Sequence, residues 1–143
     1  MISTSNKESV EQLIQALVAA MNRHDIESLL ALTAQDYEGV DVNQQLPQHG
    51  QGEARMAFEH YLAAFPDMCF VEHDAVIQEN RAVLVWKGRG THLGTIMHIP
   101  PTGRRVEVLG TSTFHFEDGK IKKAVHVWDV ASMLREIGLL PEL

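Results

Sequence analysis

The residues whose types suit proton transfer gather between Trp86 and Asp129, where His92, His98, His115 and His126 stand with one carboxylate in an apolar run. Asp129 ends the run Val125-His126-Val127-Trp128, and aspartate is depleted in strands and costly to bury without partners. Two roles fit it. It can cap a helix starting at Val130-Ala131-Ser132-Met133, which the spacing by itself favours, or it can accept a proton inside a pocket. His115 lies between Phe114 and Phe116 and faces away from both if the run is a strand. There it is either a hydrogen-bonded packing residue or an acid/base partner. His92 and His98 flank Gly94, but no pair among these groups has helical or CxxC-like ligand spacing, so no metal is expected. Trp86, Trp128, Met97, Phe58 and Tyr61 are core candidates first and walls for a flat apolar substrate second. The chain carries no phosphate loop, no dinucleotide fingerprint and no GxSxG, so no cofactor is expected.

Three long strands must position these groups. Pro100-Pro101-Thr102-Gly103 marks one turn and Asp118-Gly119 another, because proline fixes φ and glycine permits φ > 0. DG between runs rich in Val, Thr and Phe is a strong hairpin signal. A strict two-residue loop there pairs Glu117 with Lys120, which puts His115 on the face of His126 and Trp128 and turns Asp129 to the other side. A bulge shifting the pairing by one is the expectation adopted, and it places Thr111, Thr113, His115 and Asp129 together along one cavity. Gly88, Gly90, Gly94 and Gly110 inside strand-like runs point to strong curvature.

The first half reads as helical. Val10, Leu13, Ile14, Leu17, Val18 and Met21 form one apolar stripe, with Ser5 and Glu8 resembling a capping box, and Asp25 can cap a short second helix through Ile26, Leu29, Leu30 and Leu32. Tyr37 to Val42 suits a short strand and residues 43–52 a loop at a pocket mouth, with His49 solvated. Ala54, Phe58, Tyr61, Leu62 and Phe65 make a third helix that Pro66 ends. The runs from Phe70 onward are joined tightly enough to require antiparallel pairing, and Val130 to Ile137 suits a closing helix stopped by Gly138. Helices followed by a meander imply a segregated α+β fold in one domain spanning residues 1–143.

The formal charge of -7 and a pI near 5.5, with scattered Lys and Arg, argue against nucleic acid as a partner. One cysteine, Cys69, excludes an internal disulfide and suits a reducing compartment. The polar start MISTSNKESVEQ has no apolar signal region and no run is long enough to span a membrane, so a soluble cytoplasmic protein is expected.

Phe65-Pro66-Asp67, Gly90-Thr91-His92-Leu93-Gly94, Pro100-Pro101-Thr102-Gly103, Asp118-Gly119-Lys120-Ile121 and Trp128-Asp129 with the Leu134 to Leu139 tail stand in an order that resembles a known family. It is that of the SnoaL-like polyketide (ester) cyclases of the nuclear transport factor 2-like superfamily. The resemblance implies a curved antiparallel sheet wrapped around N-terminal helices as a cone-shaped barrel with an internal pocket. In such cyclases an aspartate on the last strand acts as acid/base with a histidine fourteen positions earlier, which carries over to Asp129 and His115 and reverses the preference for a cap. It further implies a cofactor-free enzyme removing a proton α to a carbonyl of a small or polycyclic substrate, with Thr111, Thr113, His92, Trp86, Met97, Tyr61, Phe58 and Trp128 around it. Another lyase, isomerase or hydrolase using the same pocket, or a non-catalytic binding or dimerisation module, are the alternatives. A homodimer or larger assembly is expected, because the sheet face away from the pocket carries alternating apolar residues that something must cover.

Overall fold

The computed structural model describes residues 4–143, with side chains from residue 8 onward. Helix α1 (Thr4–Asn22) presents Val10, Ile14, Leu17 and Val18 as one buried stripe. The capping box expected at Ser5 and Glu8 involves a side chain outside the described residues. Asp25 caps α2 (Ile26–Ala31) by accepting from the Ser28 N–H at 3.1 Å and the Ser28 hydroxyl at 2.6 Å. After strand β1 (Thr33–Asp41), the segment expected to be loop is shorter than its composition suggests. Gln48–His49 pairs with β1 as β2, and α3 (Gly50–Ala64) begins at once. Glu53 makes that early start feasible by accepting the His49 N–H at 2.8 Å.

The second half is the expected meander. Strands β3 (Cys69–Gln78), β4 (Arg81–Thr91), β5 (Arg105–Glu117) and β6 (Lys120–Trp128) pair antiparallel in sequence, and α4 (Val130–Glu136) closes the chain before Gly138 at φ 89°. Asp118 and Gly119 both have positive φ, as a two-residue hairpin loop of this hand requires. Sheet order is β2-β1-β6-β5-β4-β3, so β1 returns to pair parallel with β6 and the sheet stays open rather than closing into a barrel. The Pro100 to Gly103 turn lies within a longer connection, residues 92–104, clipped where Gly103 N–H meets the His92 carbonyl at 2.8 Å.

The β5–β6 register decides which side chains meet. Glu117 pairs with Lys120 and Phe116 with Ile121, then His115 pairs with Lys123, leaving Lys122 as the extra residue of a bulge. The expected shift by one therefore occurs, but the face it assembles from Thr111, Thr113 and His115 is the outer one. Phe114, Phe116, Ile121 and Ala124 supply the larger apolar area and are buried against α1 with Tyr37 and Leu84. A second cluster of Ala64, Phe65, Ile96, Val106, Met133 and Ile137 ties the end of α3 and the 92–104 connection to α4.

Gly110 is where the inner face needs a missing side chain. A Cβ built on it would stand 2.2 Å from the Trp86 ring, which lies across the glycine from the neighbouring strand. Gly110→Val should therefore destabilise the protein by about 1–3 kcal/mol, the usual cost of overpacking. Chemical denaturation measures this, and an unchanged midpoint would mean that the indole does not rest there.

Candidate functional site

Between the inner sheet face and helices α1 to α3 lies a cavity of about 260 Å³, walled largely by apolar side chains such as Leu17, Leu29, Phe58, Phe70 and Leu84. Among its polar lining residues, Asp41, Tyr61, Trp86, Ser112, His126 and Trp128 are joined by hydrogen bonds into two networks. Asp41 is the last residue of β1 and pairs directly with His126 on the parallel strand β6. The cavity thus holds a carboxylate and an imidazole side by side on one sheet face.

Asp41 is 5% exposed, and no Lys or Arg among the described residues pairs with it. Neutral donors hold it instead. The Asn43 N–H donates to Oδ1 at 2.9 Å, while the Tyr61 hydroxyl and the Trp128 indole N–H, the latter at 3.4 Å, donate to Oδ2. Gln44 donates to the Tyr61 oxygen at 3.2 Å and Asn43 to the Trp128 carbonyl at 3.2 Å, so the loop after β1 locks both partners of the carboxylate. Burial, then the hydrogen bond and charge of Asp41, raise the Tyr61 pKa, which keeps the phenol protonated. A carboxylate offers about four lone-pair sites; Oδ2 is fully engaged, whereas Oδ1 retains one.

His126 belongs to a second network. Its Nδ1 lies 2.7 Å from the Ser112 hydroxyl, and Ser112 in turn accepts the Trp86 indole N–H at 3.0 Å. The Phe114 ring meets the imidazole edge to face at 6.0 Å. Burial pushes the His126 pKa down from 6.5 and the Asp41 charge only partly opposes this, so the imidazole is neutral near pH 7.

Of the residues singled out from sequence, Trp86, Tyr61, Phe58 and Trp128 line the cavity. Thr111, Thr113 and His115 stand on the outer face, opposite the buried Ser112, Phe114 and Phe116. Asp129 is exposed outside the cavity and caps α4, accepting from the Ser132 N–H at 3.0 Å and the Ser132 hydroxyl at 2.6 Å; these bonds lower its pKa. His92 is fully buried beside Phe65, where its Nδ1 accepts the Thr102 N–H at 3.2 Å. Met97 packs half-buried in the second cluster at φ 50°. Neither contributes to the cavity wall. Sequence reasoning missed Asp41 and Ser112 and left His126 without a role. Two signals pointed to them: Tyr37, Gly39 and Asp41 alternate on one face, and Ser112 and His126 are themselves fourteen apart.

A depressed histidine pKa carries a stability consequence. As pH falls through 6.5 the unfolded chain takes up a proton that folded His126 resists, so stability is present above that pH and declines below it. Denaturation midpoints of the wild type should fall between pH 7 and 5 more steeply than those of His126→Gln. Parallel profiles would show that His126 titrates normally in the folded state.

In solved structures, the chain resembles AclR from Streptomyces galilaeus, a proposed hydroxylase, at 26% identity and a TM-score of 0.83 over 96% of this chain and 89% of that one. TsrD from Streptomyces laurentii is 25% identical with a TM-score of 0.82 over 98% and 100%. A proposed SnoaL-like polyketide cyclase from Jannaschia sp. CCS1 matches at 0.86 over 99% of both chains, but at 17% identity it speaks for the fold alone. No curated protein matches the sequence significantly. The family description of SnoaL-like polyketide cyclases matches residues 11–137, taking in every polar group of the cavity, and the chain belongs to that family.

Proposed function

We propose that the cavity performs acid–base chemistry on a carbonyl compound of the polyketide type, with Asp41 as proton acceptor and neutral His126 beside the developing oxygen. The observation that carries this reading is the buried Asp41 carboxylate, without a cationic partner among the described residues, next to an imidazole in a largely apolar pocket. Asp41 takes the proton from a carbon α to a carbonyl, and the C–H electron pair moves into an enolate. The enolate carbon then attacks a second carbonyl of the same molecule, forming the ring bond as the C=O π pair moves onto oxygen, and the resulting alkoxide receives the proton that Asp41 took, which returns the carboxylate to its starting state. Low polarity in the pocket strengthens each hydrogen bond to the developing charge. Asp129 and His115 have no part in this scheme, because neither side chain reaches the cavity.

Polycyclic aromatic esters and ketones that raise the melting temperature are ligands to assay for turnover, since binding to the folded state stabilises it by mass action. On such a substrate Asp41→Asn should lose about a hundred- to ten-thousand-fold in turnover, while Asp129→Asn turns over like the wild type. Full activity of Asp41→Asn would remove the carboxylate from the mechanism.

We further propose a homodimer that covers the outer sheet face. Val40, Val85, Leu109, Val125 and Val127 lie exposed there on four neighbouring strands, an apolar surface that favours burial. Sedimentation should give twice the 16.0 kDa of one chain, with Val127→Lys shifting the balance toward monomer. A monomeric wild type at micromolar concentration would contradict this.

A further inference from the structure

The proposed function assigns His126 to the developing oxygen without saying which ring nitrogen carries the proton. The answer follows from counting donors. Trp86 Nε1 can only donate, and it donates to Ser112 Oγ at 3.0 Å. Ser112 is 4% exposed, and among the described residues its hydroxyl has one further partner, His126 Nδ1 at 2.7 Å.

Two proton arrangements are compatible with those distances. In the first, Nδ1–H donates to Ser112, which then accepts twice and leaves its own hydroxyl proton without an acceptor in a buried site. In the second, Ser112 accepts from Trp86 and donates to Nδ1, so the buried serine hydroxyl and the indole N–H both have acceptors, and the remaining N–H, on Nε2, opens to the cavity. Buried polar groups left unpaired carry the full cost of desolvation, so the second arrangement prevails. The neutral ring then carries its proton on Nε2. That nitrogen has no partner among the described residues, and unlike His92 Nε2 it is not sealed off.

Gly110 makes the chain of contacts feasible. Trp86 pairs with Gly110 across β4 and β5, and only the absence of a side chain lets the indole lie over that position and reach Ser112 two residues on. Ser112 in turn pairs directly with His126 across β5 and β6. Three adjacent strands thus hold three side chains in line on the inner face.

We propose that Trp86 and Ser112 are positioning residues that fix His126 as the Nε2–H tautomer, making it a hydrogen-bond donor to a substrate carbonyl oxygen and leaving proton acceptance to Asp41. The donor role rests on the proposed function; the tautomer does not. A ligand suited to this pair carries a carbonyl oxygen at His126 and an acidic C–H toward Asp41 Oδ1.

Nitrogen-15 NMR of the imidazole rings reads the tautomer without any substrate, with the His126 signals assigned by their loss in His126→Gln. Above the titration of His126, the wild type should show an unprotonated Nδ1 and a protonated Nε2. Ser112→Asp replaces a group that donates with one that only accepts, so it should move the proton to Nδ1. Ser112→Ala, a smaller change should the aspartate variant not fold, should shift the Nδ1 resonance toward that of a nitrogen accepting no hydrogen bond. A wild-type ring protonated on Nδ1, or an Nδ1 resonance unmoved in Ser112→Ala, overturns the proposal. On a carbonyl substrate Ser112→Asp should also lose on the order of 10²–10³ in kcat, the scale of a lost oxyanion donor, with KM little changed. If the wild-type tautomer is as stated and no carbonyl compound is turned over, the tautomer assignment stands and the cyclase reading falls.

Discussion

One extra residue in β6 determines what the cavity contains. Side chains alternate along a strand, so slipping the pairing by one exchanges the whole inner set for the outer one. Without the bulge at Lys122, the strict hairpin would put Lys123, Val125 and Val127 on the face of Phe114, Ser112 and Gly110. With it, Ala124, His126 and Trp128 take those places. Lys122 itself turns outward to an ion pair with Asp36 on β1, so the residue left over by the bulge meets the strand that the bulge must accommodate. The β1–β6 pairing has its own irregularity between Thr33 and Glu38, after which Asp41 falls level with His126. Two local departures from regular pairing therefore bring a carboxylate and an imidazole together.

The two polar networks are held from different parts of the fold. Asp41 is surrounded by donors from the loop after β1, from α3 and from the end of β6, which hold the buried carboxyl group where no Lys or Arg among the described residues pairs with it. His126 is tied to Ser112 and Trp86 along the sheet, and burial keeps it neutral. The groups have different supports, so each can be altered while the other keeps its geometry. Helix α4 and the 92–104 connection, packed on the second cluster, lie behind this arrangement, with Asp129 and the His92–Thr102 contact as their fastenings.

Much of the fold was legible because it follows from local signals. The stripe on α1, the Asp25 cap, the Pro66 stop, the Asp118-Gly119 turn and the Gly138 terminus each act within a few residues. Even the one-residue shift between β5 and β6 was anticipated. What local pattern does not carry is which face turns inward, and here the two phenylalanines flanking His115 outweigh it, sending His115 to the outer face. Nor does it carry the parallel return of β1 to β6, a pairing between residues more than eighty apart that makes Asp41 a neighbour of His126. The spacing of fourteen occurs twice on these strands: Ser112 and His126 stand that far apart inside the cavity, His115 and Asp129 outside it.

Removal of a proton from carbon by Asp41, the step proposed for this cavity, can be followed alone by isotope exchange. A ketone analogue of a bound substrate, lacking the second carbonyl needed for ring closure, is incubated with the protein in deuterated water and followed by NMR at the carbon α to its carbonyl. Deuterium should be incorporated by the wild type and by the double variant His115→Ala/Asp129→Asn, but only at background level by Asp41→Asn. Incorporation that persists in Asp41→Asn and disappears in the double variant would contradict that role of Asp41.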